Sequence, residues 1–125
     1  MTILLVVDDE QNIRLLYKEE FEDEGYDVTV AASAEEAMEK IQQSKPDIIT
    51  LDIKMAGTDG IEFMRRLKEE ENDIPVIFCS AYGGYKSDFR VWASDAYVVK
   101  SSDLTELKTV IKQTLGNKNP DLASV

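Results

Sequence analysis

Hydrophobic and polar residues follow two periods along the chain, and together they predict five strands, each followed by a helix. Short apolar runs bounded by turn residues predict buried strands. Apolar positions spaced three and four residues apart predict helices. The predicted strands are Ile3–Val7, Tyr26–Val30, Pro46–Asp52, Pro75–Ser80 and Ala96–Val99. The second of these alternates apolar and polar residues, so we expect it near an edge of the sheet.

Start and stop signals delimit the predicted helices. Gly25 follows the first helix and is a common helix stop. Ser33 begins the second helix, and Glu36 completes a capping box with it. Three further helices are expected. One follows Asp59-Gly60, a second with weak helix propensity extends through Trp92, and the last runs from Asp103 to Gly116. The inward stripe of the first helix is expected to be Ile13, Leu16, Tyr17 and Phe21.

This order of elements predicts an α/β fold. Right-handed crossovers between successive strands give a doubly wound, five-stranded parallel sheet with helices on both faces. In the flavodoxin-like strand order 2-1-3-4-5, the first and third strands are neighbours at the switch point where such sheets bind ligands. We expect one domain over residues 1–116 and a flexible tail over 117–125.

Composition narrows the possible functions. The chain has 25 acidic and 14 basic residues and a formal charge of −11, which argues against nucleic-acid or anionic-membrane binding by this domain alone. Histidine is absent, which excludes histidine-based triads and histidine-ligated metals. Cys79 lies in an apolar run and is expected to be a core residue in a reducing compartment. With no membrane-length apolar run and no signal-peptide pattern, we expect a cytoplasmic protein.

Candidate chemistry lies where the predicted strands end. Asp8 and Asp9 follow the first strand, Asp52 ends the third, Ser80 ends the fourth and Lys100 follows the fifth. The carboxyl ends of parallel strands share one edge, so three carboxylates would meet there. Such a cluster needs a cation, and an all-oxygen site suits Mg²⁺. A carboxylate nucleophile with Mg²⁺, a lysine and a hydroxyl is suited to phosphoryl transfer, with Asp52 forming an acyl phosphate.

Each of these residues also has a purely structural interpretation when it is taken alone. The alternatives are an N-cap for Asp8 or Asp9, a turn residue for Asp52, a satisfied strand-end hydroxyl for Ser80 and a solvated lysine for Lys100. Tyr97, which alternates with Val98 in the fifth predicted strand, is a packed aromatic when it is taken alone. The functional interpretation is favoured because all the strand-end residues fall at one edge of the predicted sheet.

The sequence resembles the receiver domain of bacterial two-component response regulators over roughly residues 2–116. The resemblance rests on Asp8-Asp9, Asp52, Ser80-Ala81, Tyr97, Lys100 and the pattern Asp52-x-x-Met-x-x-x-Asp-Gly. It implies a single-domain receiver of the chemotaxis or sporulation-phosphorelay type. Such a domain takes a phosphoryl group from a sensor histidine kinase or a phosphotransfer protein and acts on a downstream effector protein.

The resemblance also implies a role for each site residue. Asp9, Asp52 and the backbone carbonyl of Lys54 would hold Mg²⁺, with Mn²⁺ as an alternative, and Asp8 would act through a metal-bound water. Asp52 would be the phosphoacceptor, and Lys100 would pair with a phosphoryl oxygen.

Ser80 and Tyr97 would form the switch. The resemblance implies that Ser80 moves to hydrogen-bond the phosphoryl group and that Tyr97 swings inward behind it. This movement would change the surface made by the fourth predicted helix, the fifth strand and the last helix. The domain would catalyse only its own phosphorylation and dephosphorylation, and would be a monomer or a weak dimer.

The chain departs from the usual family pattern at several positions. Ala56 and Ser101 stand where the family usually has proline, so the geometry of the bond between Lys100 and Ser101 is open. Ser94-Asp95 replaces the usual Gly-Ala. We also hypothesise that Lys54 and Tyr82 hinder the hydrolytic water and so set the phosphoryl lifetime.

Two other classes of function stay open at this point. The first is a receiver-fold binding module that works without phosphorylation, which the departures at Ala56 and Ser101 allow. The second is a Mg²⁺-dependent phosphohydrolase with an aspartate nucleophile. It ranks lower, because Lys54 occupies the position where such an enzyme usually has a second acid.

Overall fold

The structure is a computed structural model of the 125-residue chain, and it describes residues 2–53, 59–70, 73–80, 94–101 and 103–118. Within these residues there are five strands and four helices. The strands are β1 (Ile3–Val7), β2 (Asp27–Ala31), β3 (Ile48–Asp52), β4 (Val76–Ser80) and β5 (Ala96–Val99). The helices are α1 (Gln11–Asp23), α2 (Ala34–Gln43), α3 (Gly60–Glu69) and α4 (Thr105–Lys118). The predicted weak helix through Trp92 lies outside the described residues.

All five strands are parallel and form one sheet in the order β2-β1-β3-β4-β5, which confirms the predicted topology. The alternating strand β2 lies at an edge, as predicted. β1 and β3 are neighbours, and β3 is followed by β4, so their carboxyl ends lie side by side. This arrangement forms the edge at which ligands of open α/β sheets bind.

Two apolar cores cover the two faces of the sheet. On one face, Tyr17 and Phe21 of α1 pack with Leu107 and Ile111 of α4 against the strands. On the other face, the side chains come from α2 and α3, including the fully buried Phe63. We call these the α1–α4 face and the α2–α3 face. Burial on both faces explains why β1, β3 and β4 read as continuous apolar runs in the sequence.

Local signals at the helix ends are mostly as predicted. The Ser33 hydroxyl accepts the Glu36 N–H at 3.2 Å and caps α2. Gly25 follows α1 with φ of +98°, a left-handed conformation that favours glycine. Among the described residues, no helix is long and apolar enough to span a membrane.

Two predictions about helices are wrong. Leu16 was expected inward, but its side chain is 38% exposed, because the buried stripe of α1 narrows to Tyr17 and Phe21. Gly116 was expected to end the last helix, but α4 continues to Lys118. A glycine ends a helix when it adopts a left-handed φ, and Gly25 is the described glycine that does so. The predicted domain boundary at residue 116 stays a prediction.

Two aspartates make the same pair of hydrogen bonds to a neighbouring strand at the amino-terminal edge of the sheet. Asp47 precedes β3, where its carboxylate accepts the Ile3 N–H at 2.7 Å and its own N–H donates to the Ile3 carbonyl at 2.8 Å. Asp95 precedes β5 and makes the same pair of bonds with Val76, each 2.9 Å long. Asp95 is one of the departures from the family pattern, and these bonds give it a structural role.

Candidate functional site

The strand register brings three charged side chains, those of Asp8, Asp52 and Lys100, to the α1–α4 face at the carboxyl edge of the sheet. Asp8 continues the alternation of Leu4 and Val6 along β1, and Asp52 continues that of Ile48 along β3. Asp52 pairs in register with Cys79 of β4, and Cys79 pairs with Val98 of β5. Lys100 lies two positions beyond Val98 and therefore belongs to the same row.

The Lys100 ammonium lies between two carboxylates at the centre of this edge. Its Nζ is 2.7 Å from Asp8 Oδ2 and 3.3 Å from Asp52 Oδ2. All three side chains are largely buried, with exposed fractions of 12% for Lys100, 3% for Asp8 and 8% for Asp52. The structure thus brings together three of the predicted site residues in one contact.

The electrostatics of Lys100 follow from this contact. Burial alone would lower its pKa, but the hydrogen bonds and negative charges of Asp8 and Asp52 outweigh burial, and the pKa is raised above its ordinary value. The lysine is therefore fully protonated at neutral pH. The sequence did not decide the geometry of the peptide bond between Lys100 and Ser101. In the structure this bond is trans, and the lysine side chain still reaches both carboxylates.

Asp8 is held by contacts that the sequence did not reveal. Its Oδ1 accepts the Glu10 N–H at 2.9 Å, and its backbone carbonyl accepts a bond from Arg14 Nη1 at 2.8 Å. The N-cap of α1 is Glu10, which makes no side-chain capping bond, so the alternative that Asp8 or Asp9 is the N-cap is wrong. Arg14 was missed because an arginine near a helix start carries no signal of such a contact.

The acidic cluster extends along the turn after β1. Carboxylate oxygens of Asp8, Asp9 and Glu10 all lie within 4.8 Å of one another. The predicted metal-ligand set was Asp8, Asp9, Asp52 and the carbonyl of Lys54; Glu10 was not in it, and Lys54 lies outside the described residues. Asp52 faces this cluster across Lys100.

The predicted switch residues lie on the other side of the sheet. Ser80 is 2% exposed at the end of β4, and its carbonyl accepts the Lys100 N–H at 2.7 Å. Tyr97 is half-buried and packs against the core of the α2–α3 face, with Phe78 as its register partner. The Ser80 backbone therefore connects directly to Lys100, while Tyr97 lies on the opposite face from the Lys100 side chain.

The start of α3 packs tightly against the backbone of Asp52. The Gly60 N–H donates to the Ile53 carbonyl at 2.7 Å, and Asp59 caps the helix by accepting the Ile61 N–H at 2.7 Å. A Cβ atom at Gly60 would lie 2.2 Å from the Asp52 carbonyl oxygen, so only glycine fits there. The glycine thus fixes the backbone that carries Asp52, a role that the sequence indicated only as a helix start.

Cys79 is the register partner of Asp52, and its thiol is buried at 3% exposure. Burial raises the pKa of this thiol to about 12, with Lys100 lowering it and the Asp8 and Asp52 charges raising it. The thiol is therefore protonated at neutral pH, which confirms the expectation of a core cysteine.

We predict that iodoacetamide at pH 8 leaves Cys79 unmodified in the native chain and alkylates it fully in denaturant. Only the thiolate reacts, and a thiol whose pKa is about 12 holds almost none of it at pH 8. Intact mass before and after alkylation measures the effect, and rapid alkylation of the folded chain would contradict it.

Comparison with known protein sequences shows which family and which proteins the chain is similar to. The family model described as response regulator receiver domain matches residues 4–112. The chain is 33% identical over 118 residues to sporulation initiation phosphotransferase F of Bacillus subtilis, covering 93% of this chain and 95% of that protein. It covers much less of three longer regulatory proteins that it also matches, namely 32%, 25% and 55% of their lengths.

Solved structures agree with this result. The response regulator protein TrrA of Thermotoga maritima, crystallised with Mg²⁺-BeF, superposes with a TM-score of 0.86 at 43% identity, covering 91% of this chain and 99% of that one. The complex of TrrA with the histidine kinase ThkA gives a TM-score of 0.85 at 43% identity, covering 92% and 99%. The matched range 4–112 includes Asp8, Asp52 and Lys100, and with the strand order it shows that this chain belongs to the response regulator receiver domain family.

Proposed function

We propose that this receiver domain takes a phosphoryl group on the carboxylate of Asp52 and signals through the resulting acyl phosphate. The observation that carries the proposal is the Lys100 ammonium held 2.7 Å from Asp8 and 3.3 Å from Asp52 at the carboxyl edge of the sheet. A protonated lysine beside the nucleophile can neutralise the charge of the incoming phosphoryl oxygens, which is the main catalytic requirement of phosphoryl transfer.

The transfer itself needs little covalent chemistry from the protein. An Asp52 oxygen forms the new bond to phosphorus, while the bond to the donor's leaving group, such as a histidine nitrogen, breaks. Lys100 would move its contact from the Asp52 carboxylate to a phosphoryl oxygen. Asp8 stays within reach of the ammonium and keeps it in place.

The donor set suits a divalent cation such as Mg²⁺, with Mn²⁺ as an alternative. Asp8 and Asp52 are more than nine-tenths buried, and Asp9 and Glu10 add further carboxylates beside the ammonium of Lys100. Hard oxygen donors in excess of positive charge are what Mg²⁺ prefers. Asp9, Asp52 and the Lys54 carbonyl would hold the ion, with Asp8 acting through water, and the ion would neutralise phosphoryl charge.

We further propose that Ser80 and Tyr97 transmit the change. The Ser80 carbonyl accepts a hydrogen bond from the Lys100 N–H. A movement of Lys100 towards a phosphoryl group would therefore shift the end of β4 as well. Tyr97 is half-buried on the α2–α3 face, and we expect its side chain to change its packing while β5 stays in the sheet. The new surface would be made by β5, α4 and the segment between β4 and β5, and would bind a downstream effector protein.

A histidine-bearing partner, either a sensor kinase or a phosphotransfer protein, would dock on α1. Leu15 and Leu16 are exposed at 59% and 38%, the large apolar side chains exposed in the described part of the chain. They lie one to two turns after the acidic cluster at residues 8–10. TrrA, which is 43% identical, forms a complex with a histidine kinase, and this supports the choice of partner.

Leu15→Asp is expected to slow phosphoryl transfer from a phosphorylated histidine phosphotransfer domain at least about tenfold, because a charge would enter the docking surface. Labelling by acetyl phosphate, which needs no docking, should be unchanged. Glu39→Lys, a charge change at an exposed position of α2 on the other face of the sheet, is the control. Equal loss with both phosphoryl donors would show that the substitution damages the site and not the docking surface.

The proposal is tested by incubating the chain with acetyl phosphate or phosphoramidate, with and without Mg²⁺, and measuring intact mass. One added phosphoryl group is expected, dependent on Mg²⁺ and absent from Asp52→Asn. Absence of an adduct in the wild type, with beryllofluoride binding also absent, would favour a binding module that works without phosphorylation. Turnover of a small phosphoester would instead indicate a phosphohydrolase.

Several finer properties belong to the same proposal. We infer that the chemistry is confined to phosphorylation and dephosphorylation of this chain, that the domain is a monomer or weak dimer, and that it does not bind nucleic acid by itself. A cytoplasmic location is also proposed, and the buried free thiol of Cys79 is compatible with a reducing compartment.

A further inference from the structure

A cavity of about 150 Å³ lies next to the acidic edge, on the α1–α4 face. Tyr17 of α1 and Cys79 of β4 form one side, and Lys100 and the connection from β5 to α4 form the other. The proposed phosphoryl chemistry does not use this space. Its volume corresponds to about five water molecules, or to a small organic group.

Tyr17 gives the cavity wall an unusual polar group. The side chain is 97% buried, with 3% exposed, and its ring is fixed edge-on against Phe21 at a centroid distance of 5.7 Å. Its hydroxyl makes no hydrogen bond within the described part of the chain, and its oxygen is not fully enclosed, unlike the unpaired hydroxyls of Thr2, Tyr26 and Thr50. A tyrosine hydroxyl at the wall of a cavity, with no protein partner, can donate or accept a hydrogen bond with a group bound there.

The charged residues around the cavity determine whether it favours a cationic or an anionic ligand. The Lys100 ammonium is already paired with Asp8 and Asp52. Asp103 and Glu106 also line the cavity, and Glu106 has no ion-pair partner among the described residues. Both hydrogen bonds that Asp103 accepts from Thr105 use Oδ1, and they lower the pKa of the carboxyl. Asp103 and Glu106 are exposed at the rim of the cavity, so with Lys100 already paired the charge around the cavity is net negative.

The remaining wall is apolar. Leu104 and Leu107 are 7% and 2% exposed, and both line the cavity together with Val98. A ligand that matches an apolar wall, an unpaired hydroxyl and two carboxylates has a short apolar stem and a cationic head. A strongly hydrated small metal ion would leave the leucines uncovered.

We propose that this cavity binds an alkylammonium or guanidinium group on a short apolar stem, held by the Tyr17 hydroxyl and the Asp103 and Glu106 carboxylates. Two sources have this chemistry: a free amine, or the lysine or arginine side chain of a protein that docks beside α1. Leu16 supports the second source. It precedes Glu20 by one helical turn, and Glu20 accepts a bond from Lys108 of α4, so Leu16 lies on the side of α1 that faces α4.

The test is a nuclear magnetic resonance titration of the full chain with n-butylammonium chloride, using n-butanol with sodium chloride as the neutral control. We expect saturable shifts at Val98, Leu104 and Leu107, with butanol binding at least about fivefold more weakly because it lacks the charge. Glu106→Gln should weaken butylammonium binding about threefold, and Glu19→Gln, the same charge change away from the cavity, should not.

Tyr17→Phe keeps the ring and removes only the hydroxyl, so it should weaken binding about threefold or more while the thermal melting curve shows a folded chain. Equal binding of butanol and butylammonium, equal behaviour of Glu106→Gln and Glu19→Gln, or shifts that do not saturate would each overturn the proposal. Comparing blocked lysine methylamide with putrescine distinguishes the sources. Tighter binding of the blocked lysine supports a protein side chain, and tighter binding of putrescine supports a free amine.

Discussion

Gly60→Ala is expected to lower the free energy of unfolding by about 3 kcal/mol, because the new methyl group would overlap the backbone of β3. The Cβ atom would lie 2.2 Å from the Asp52 carbonyl oxygen and 2.9 Å from the Ile53 Cα atom. These are backbone atoms of a buried central strand, so they cannot rotate away as a flexible side chain could. Any relaxation must move α3 or the peptide that carries Asp52.

The matched control is Gly25→Ala, which makes the same substitution at a glycine with open space around it. No atom of a described residue, apart from its two chain neighbours, lies within 4 Å of a Cβ atom built there, and its φ of +98° leaves only a conformational cost of about 1 kcal/mol. Urea denaturation of both variants measures the difference. A Gly60→Ala variant no less stable than Gly25→Ala would contradict the close approach described for α3 and Asp52.

Lys100→Met is expected to destabilise the domain by about 3 kcal/mol, because it leaves two buried carboxylates without the ammonium between them. The lysine contacts Asp8 at 2.7 Å and Asp52 at 3.3 Å. The variant should also label with acetyl phosphate about a hundredfold more slowly, since it lacks the charge that we propose neutralises the phosphoryl oxygens.

Two further variants show whether the effect comes from charge. Lys45→Met removes an exposed ion pair with Asp73 and should change stability by less than about 0.5 kcal/mol. Combining Lys100→Met with Asp8→Asn removes one of the repelling charges and should recover part of the lost stability. Full additivity of the two substitutions would contradict a direct contact between Lys100 and Asp8.

The pH dependence of this contribution follows from the raised pKa of Lys100. A lysine with a raised folded pKa contributes stability that is fully present below its ordinary value of 10.5 and is lost as pH rises through the folded pKa. The difference between wild type and Lys100→Met should therefore be constant between about pH 7 and 9. Denaturation curves across this range measure it.

The strand-end positions could be predicted because a parallel sheet has one rule for where its strands end. Apolar runs located β1, β3, β4 and β5 to within a residue or two, and the strand order then made Asp8, Asp52 and Lys100 neighbours. No side-chain contact was needed for this inference. The placement of Ser80 at the end of β4 followed from the same rule, whereas Tyr97 was placed within β5 by the apolar run itself.

Contacts that depend on the path of the backbone could not be predicted. Arg14 reaches the Asp8 carbonyl, and Cys79 is the register partner of Asp52; both depend on the three-dimensional course of the turns and on strand register. Leu16 was predicted to face the core because its spacing fits the apolar stripe of α1. Helical spacing alone does not determine how wide the buried part of that stripe is. The close approach of Gly60 to Asp52 is likewise a property of the packed chain.

The most direct test of the central claim is to identify the residue that carries the phosphoryl group. Borohydride reduces an aspartyl phosphate to homoserine, and peptide mapping of the phosphorylated, reduced chain then locates it. We predict homoserine at position 52, formed only when the phosphoryl donor and Mg²⁺ are both present. Homoserine at Asp8 or Asp9, or a phosphate that survives reduction on a hydroxyl such as that of Ser80, would contradict the assignment.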